Sequence, residues 1–252
     1  MKKLVLALGA VALLAAGCGD DDDDASTTTS TTAADATTTT ETPLATTAPG
    51  LTVEDPVATA RAWIDAIGAG DYDTVVALTS ERSLAAFGGA EGVEENRTAL
   101  AEGWGAWSHA EDLETATLPP IGDAAAVVVL HGQVAQEGPP REAWAALAVV
   151  ATVDGDRVEP FLDLGAITVD PPAGTEVAAQ PRFTITAPTG VQVQAVIDAG
   201  HSARVSQVAS DEATTIEVAA NVPLDPGLHV LTVVLRDGAD IMVRTFEYAV
   251  EG

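Results

Sequence analysis

Few side chains in this 252-residue sequence have the types and spacing that catalysis or metal binding requires. Cys18 is its single cysteine, which excludes an intrachain disulfide and any multi-cysteine metal site. The four histidines, at 109, 131, 201 and 229, are scattered without metal-ligand spacing. No G-x-S-x-G elbow, H-E-x-x-H helix or phosphate-binding loop is present. Two acidic turns, Asp154-Gly155-Asp156 and Asp237-Gly238-Ala239-Asp240, offer hard oxygen ligands. A calcium site takes six to eight such oxygens, and Asp-Gly is common hairpin chemistry, so both runs read as turns. The residues alone therefore predict no catalytic set, no metal and no cofactor.

Charge narrows the choice of partner. There are 38 Asp and Glu against 11 Lys and Arg, a net charge of -27 and a pI near 4.1. Nucleic-acid binders neutralise phosphates with clustered cations, so that class is excluded. The acids are spread along the chain, as expected of a solubilising surface. Hydrophobic residues make up 47% and aromatics only 4%, so the core must be built from Ala, Val and Leu.

The N-terminus speaks to location. Lys2 and Lys3 precede thirteen apolar residues, Leu4 to Ala16. That run is shorter than the about 20 residues of a membrane span and has the length of a secretory signal core. It ends Leu14-Ala15-Ala16-Gly17-Cys18, which resembles the lipobox of bacterial lipoproteins. The resemblance implies a signal peptide over residues 1–17, cleavage between Gly17 and Cys18, and a diacylglyceryl group on Cys18. It further implies an extracytoplasmic protein, lipid-anchored to the cell membrane, because two acyl chains suffice for stable anchoring. After cleavage nine Arg face 38 acids, a charge of -29. With no lysine left, Schiff-base and P-loop chemistry are excluded. Residues 18–50 hold Asp20 to Asp24 and a threonine-rich tract with no apolar period. Such a segment cannot repay its ordering entropy and reads as a disordered tether, spanning roughly 30 Å on average as a flexible coil.

From residue 51 the pattern becomes that of a folded protein. Asp55-Pro56 supplies a cap and a first helical residue, and Val57, Ala60, Ile64 and Ile67 follow at helical spacing until Gly68 and Gly70. Asp71 opens a second short helix through Leu78, and a third is predicted over 93–102. Strands are predicted over 113–118, 124–134, 141–153 and 157–164. Helices followed by an antiparallel sheet indicate an α+β domain. The segment WIDAIGAGDYDTVVALTSE resembles the first two helices of NTF2-like (SnoaL-like) domains, so residues 51–165 are expected to form that family's cone of helices on a curved sheet. Enzymes of that family place a His or Asp on inward-facing positions beside Tyr or Trp. The resemblance therefore nominates His131, which alternates with Val127 and Val129, with Tyr72, Trp104, Trp144 and Asp163 approaching the same cavity as ligand-binding candidates. Read as residues, His131 ends a strand near solvent, and Trp104 and Trp144 fill the space between helices and sheet. That plainer reading is preferred.

Residues 166–252 show no helical period. Strand-like runs over 167–169, 182–187, 191–197, 214–222, 228–235 and 241–250 are punctuated by Pro, Gly and Asp, which suggests a β-sandwich. DPPAGTEV and PLDPGLHVLTVVLRDGAD resemble the first strand and last hairpin of bacterial immunoglobulin-like envelope domains. The expected function is that of a non-enzymatic binding or scaffolding module of the cell envelope, engaging an envelope protein or a cell-wall component. The alternative is a small-molecule receptor or enzyme that uses the NTF2-like cavity.

Overall fold

The computed structural model describes residues 51–118, 125–135, 138–200, 203–208 and 215–252, the side chains of 203–208 excepted. The signal, Cys18 and the tether lie outside the described residues, as does His201. Among the described residues five α-helices come first: α1 (Pro56–Ala69), α2 (Tyr72–Leu78), α3 (Glu81–Phe87), α4 (Gly89–Glu95) and α5 (Arg97–Trp104), followed by a 3-10 turn over Gly105–His109. The fold is mixed α+β, with every described strand after the α-helices.

Local chemistry explains these boundaries. The Asp55 side chain accepts from the Ala58 N–H at 3.0 Å, and Pro56 occupies the first turn of α1. Gly70 ends that helix in the left-handed region, φ 71°, where a side chain would be strained. Asp71 caps α2 through Thr74, and Ser80 caps α3 through Ser83. The single helix expected over 93–102 is split between α4 and α5, which meet at Asn96, whose side-chain Nδ2 donates to the Gly92 carbonyl at 2.8 Å; α3 precedes them as a further short helix. Ser80, an N-cap residue, starts α3, and Gly88 (φ 89°) separates α3 from α4.

Four strands form one antiparallel sheet in the order β1 (Glu111–Thr117), β2 (Ala125–Val134), β3 (Arg141–Thr152) and β4 (Gly155–Val158). The strand predicted over 157–164 is shorter than expected, because pairing with β3 stops at Val158. Eight more strands make two further sheets. β5 (Thr168–Asp170), β7 (Arg182–Thr186) and β10 (Thr215–Ala219) form a three-stranded sheet. β6 (Glu176–Val177), β8 (Gln192–Ile197), β9 (Ala203–Val208), β11 (Gly227–Asp237) and β12 (Asp240–Val250) form a five-stranded one, in the order β6-β12-β11-β8-β9. Strand β6 runs parallel to β12; the other ladders are antiparallel.

Side-chain alternation stacks these elements into four layers with three apolar seams. Val128, Leu130, Ala145, Leu147 and Val149 point from β2 and β3 toward Trp63, Ile64 and Trp107 of the helical layer. On the reverse face Val127, Val129, Ala148 and Val150 meet Val196, Val234 and Ile241 of the five-stranded sheet. That sheet's other face buries Leu231, Val233, Leu235 and Tyr248 against Phe183, Ile185, Ile216 and Val218. Both halves of the chain thus share the middle seam. β3 and β11, apolar on both faces, are the strands that such a double burial requires.

Candidate functional site

The nominated residues divide between the two faces of the four-stranded sheet. Tyr72 and Trp104 pack into the helical seam. The Tyr72 hydroxyl donates to the Arg97 carbonyl at 2.9 Å, tying α2 to α5. Trp104 meets Trp63 edge-on, with ring centroids 5.7 Å apart. Trp63 is fully buried, and its Nε1–H donates to Thr79 Oγ1 at 3.0 Å, satisfying the polar edge that burial would otherwise leave costly. Phe87 stacks on Phe161 beside this group. Aromatic and aliphatic side chains therefore fill the space between helices and sheet.

His131 and Trp144 are cross-strand partners on the opposite face, the one that meets the five-stranded sheet. Their rings stack at 4.0 Å with 15° between planes. Trp144 does not occupy the space between helices and sheet, as its sequence reading had it; one residue of strand register turns it to the other side. The His131 Nε2 lies 2.9 Å from Glu142 and the Nδ1 3.5 Å from Glu114. The Trp144 backbone N–H donates to the Glu247 carboxylate of β12 at 3.0 Å. Asp163 is apart from both groups, on an exposed loop, where its carboxylate accepts from the Gly165 N–H. The structure brings His131 and Trp144 together, and Trp104 into the aromatic group, but the five residues do not converge on one cavity.

The acidic turns are engaged structurally. Asp156 accepts from the N–H groups of Glu54 and Asp55, pinning the start of α1 to the β3–β4 hairpin. Asp240 pairs with Arg82 at 2.7 Å. Among the described residues no group of three or more His, Cys, Asp or Glu is placed to hold a metal.

The strongest electrostatic feature is one that the sequence reading missed. Glu159, just past β4, has a side chain with 0% exposure; neither carboxylate oxygen meets full hydrogen-bond geometry, although the Ser80 hydroxyl is near enough to favour the charged form. Burial pushes its carboxyl up to about 7, against the pull of Arg82 and Ser80 and with the added push of Asp240. Arg82 Nε stands 3.9 Å from Glu159 while Nη1 bonds Asp240. The only sequence signal was an acidic residue directly after an apolar strand end, Arg157-Val158-Glu159-Pro160.

Glu159 also belongs to the lining of a cavity of about 80 Å³, with Trp104, Ala146, Pro160, Leu162, Met242 and Arg244 among its walls. The volume holds a few non-hydrogen atoms, well below the roughly 300–1,000 Å³ of small-molecule sites. At the far end of β11, His229 bonds Asp198 through Nδ1 and the Asp225 carbonyl through Nε2, both at 2.7 Å. No protein-family model matches the chain, and a search of curated proteins finds no match.

Proposed function

We propose that the protein is an extracytoplasmic lipoprotein of the bacterial envelope, anchored through Cys18, that acts as a non-enzymatic binding or scaffolding module. The observation that supports this most is the filled interior of the helical layer. Trp63, Trp107, Leu130 and Leu147 occupy the space in which an open cone would hold a substrate. Binding then falls to the outer surface, which is acidic: from residue 51 onward 31 acids face nine Arg, a charge of -22. The partner is an envelope protein or a cell-wall component reached on the tether.

The finer fold reading is an NTF2-like body joined to an immunoglobulin-like sandwich. Helices leading into a four-stranded antiparallel sheet support the first part. Three strands packed against five, with β6 parallel to the last strand β12, support the second. The cavity-based alternative draws on the His131–Glu142 pair, but that pair sits on the face away from the helical core.

Two measurements test the proposal. A fatty-acid analogue should label the wild-type protein in cells and fail to label Cys18→Ala; retained label overturns the anchor. Photo-crosslinking in intact envelopes should capture a macromolecule. Saturable binding or turnover of a small molecule that is lost in His131→Ala would overturn the non-enzymatic reading.

A further inference from the structure

Arg82 is shared by two carboxylates from different layers of the fold. It lies in the first turn of α3, with its side chain 13% exposed, and donates from Nη1 to Asp240 at the β11–β12 turn, 2.7 Å away. That bond ties the helical layer to the β11–β12 hairpin of the five-stranded sheet. Its Nε lies 3.9 Å from Glu159, beyond hydrogen-bond distance. Glu159 cannot move far, because its N–H is bonded to the Ala148 carbonyl at 2.9 Å and the preceding Val158 carbonyl accepts from the Ser80 N–H at 2.8 Å. The side chain is enclosed, and neither oxygen meets full hydrogen-bond geometry, the Ser80 hydroxyl being the neighbour that favours its charged form.

An enclosed carboxyl in this state is tolerated when protonated and is costly when ionised. The charged groups around it are Arg82 of α3, Asp240 of the β11–β12 turn and, along the cavity wall, Arg244 of β12. Arg244 Nη1 donates to the carbonyl of its own neighbour Val243. The Ser80 hydroxyl is the neutral polar neighbour. Arg82 is therefore the cation placed to answer a negative charge on Glu159. For a charge-assisted hydrogen bond the 3.9 Å separation must close to under about 3 Å, a movement of the guanidinium that works against the 2.7 Å bond from its Nη1 to Asp240.

We propose that Glu159, Arg82 and Asp240 form a proton-operated tie between the helical layer and the β11–β12 hairpin. With Glu159 protonated, Arg82 holds Asp240 and the tie is closed. Ionisation of Glu159 draws Arg82 inward and loosens the hairpin. Burial places that ionisation near neutral pH, so the tie responds within the range that an extracytoplasmic protein meets. The inference goes beyond the proposed binding role and does not depend on the lipid anchor.

The test is a double-mutant cycle on the full chain with Arg82→Met and Asp240→Asn, read by urea unfolding at about pH 5.5 and 8.5. The Arg82–Asp240 coupling, taken as a ratio of unfolding constants, should fall at least about threefold at the higher pH. In a Glu159→Gln background, where the side chain at 159 cannot ionise, the coupling should be the same at both pH values. A coupling that does not change with pH in the wild type, or that falls equally in Glu159→Gln, overturns the proposal. The ¹⁵N resonance of Arg82 Nε supplies a readout independent of stability. It should step with a midpoint near neutral pH, and the step should vanish in Glu159→Gln; a step that persists there also overturns the proposal.

Discussion

Replacing Ile241 by alanine asks whether the two halves of the chain are one folding unit. Ile241 is the second residue of β12, is 1% exposed, and packs in the seam with Val127, Val129, Ala148 and Val150 of the first sheet. Removing a buried Ile side chain costs about 2–5 kcal/mol, through lost burial and the cavity left behind. For a folded body of this size each kcal/mol lowers Tm by about 2–4 °C, so the expected fall is about 4–20 °C. The assay uses an accident of sequence: all four tryptophans, Trp63, Trp104, Trp107 and Trp144, precede residue 166, while Ile241 follows it. In a Trp144→Phe background, which removes the tryptophan packed at the middle seam, fluorescence excited where tyrosine does not absorb reports unfolding of the first half through Trp63, Trp104 and Trp107. If the seam makes the halves cooperative, Ile241→Ala lowers the fluorescence midpoint as much as it lowers the midpoint by far-UV circular dichroism. A fluorescence midpoint that stays at its wild-type value while the circular dichroism midpoint falls would refute the reasoning. The seam would then be a contact between two independently stable bodies.

Other expectations follow from single sites. Glu159, with its folded carboxyl at about 7 against an ordinary 4.5, keeps its proton in the folded state to higher pH than in the unfolded state, so its contribution to stability is lost as pH rises from 4.5 through 7. The stability gap between Glu159→Gln and wild type should shift in the variant's favour by about 3 kcal/mol between pH 4.5 and 8, and urea curves that stay parallel would contradict this. Burial disfavours the charged form of His229, but its bonds to Asp198 and the Asp225 carbonyl outweigh that and raise its pKa. The stability it contributes is full below its unfolded value of about 6.5 and is lost as pH rises through the raised one. His229→Gln should flatten that part of the Tm–pH profile. Gly92→Ala would put a Cβ 1.8 Å from the Phe87 carbonyl oxygen, a backbone atom that cannot swing away. It should destabilise by about 1–3 kcal/mol, whereas Gly103→Ala, where nothing lies within 4 Å, should be neutral or stabilising.

What the sequence made legible depended on whether the signal was local. Asp55-Pro56, Asp71 and Gly70 write the limits of α1 and α2 in adjacent residues, and the apolar runs of β2, β3, β11 and β12 are visible along each strand. The strands β6, with two residues, and β9 carry no comparable pattern and exist through their neighbours in the ladder. The middle seam is a long-range fact, yet it had a local trace. β3 is apolar on both faces, and a strand covered only by helices would leave Ala148 and Val150 in water. That double-sided pattern was visible, but it names no partner, because Val127 and Val234 are joined only by the fold. The same limit applied to chemistry. His131 and Trp144 attracted notice by residue type, whereas Glu159 looks in sequence like any of 38 acids. Its difference comes from enclosure by Ser80, Arg82 and Asp240, groups contributed by α3 and a hairpin some eighty residues further on. In a chain this acidic, composition hides the one described carboxyl whose proton is worth measuring, and only the packing of α3 against the sheets singles it out.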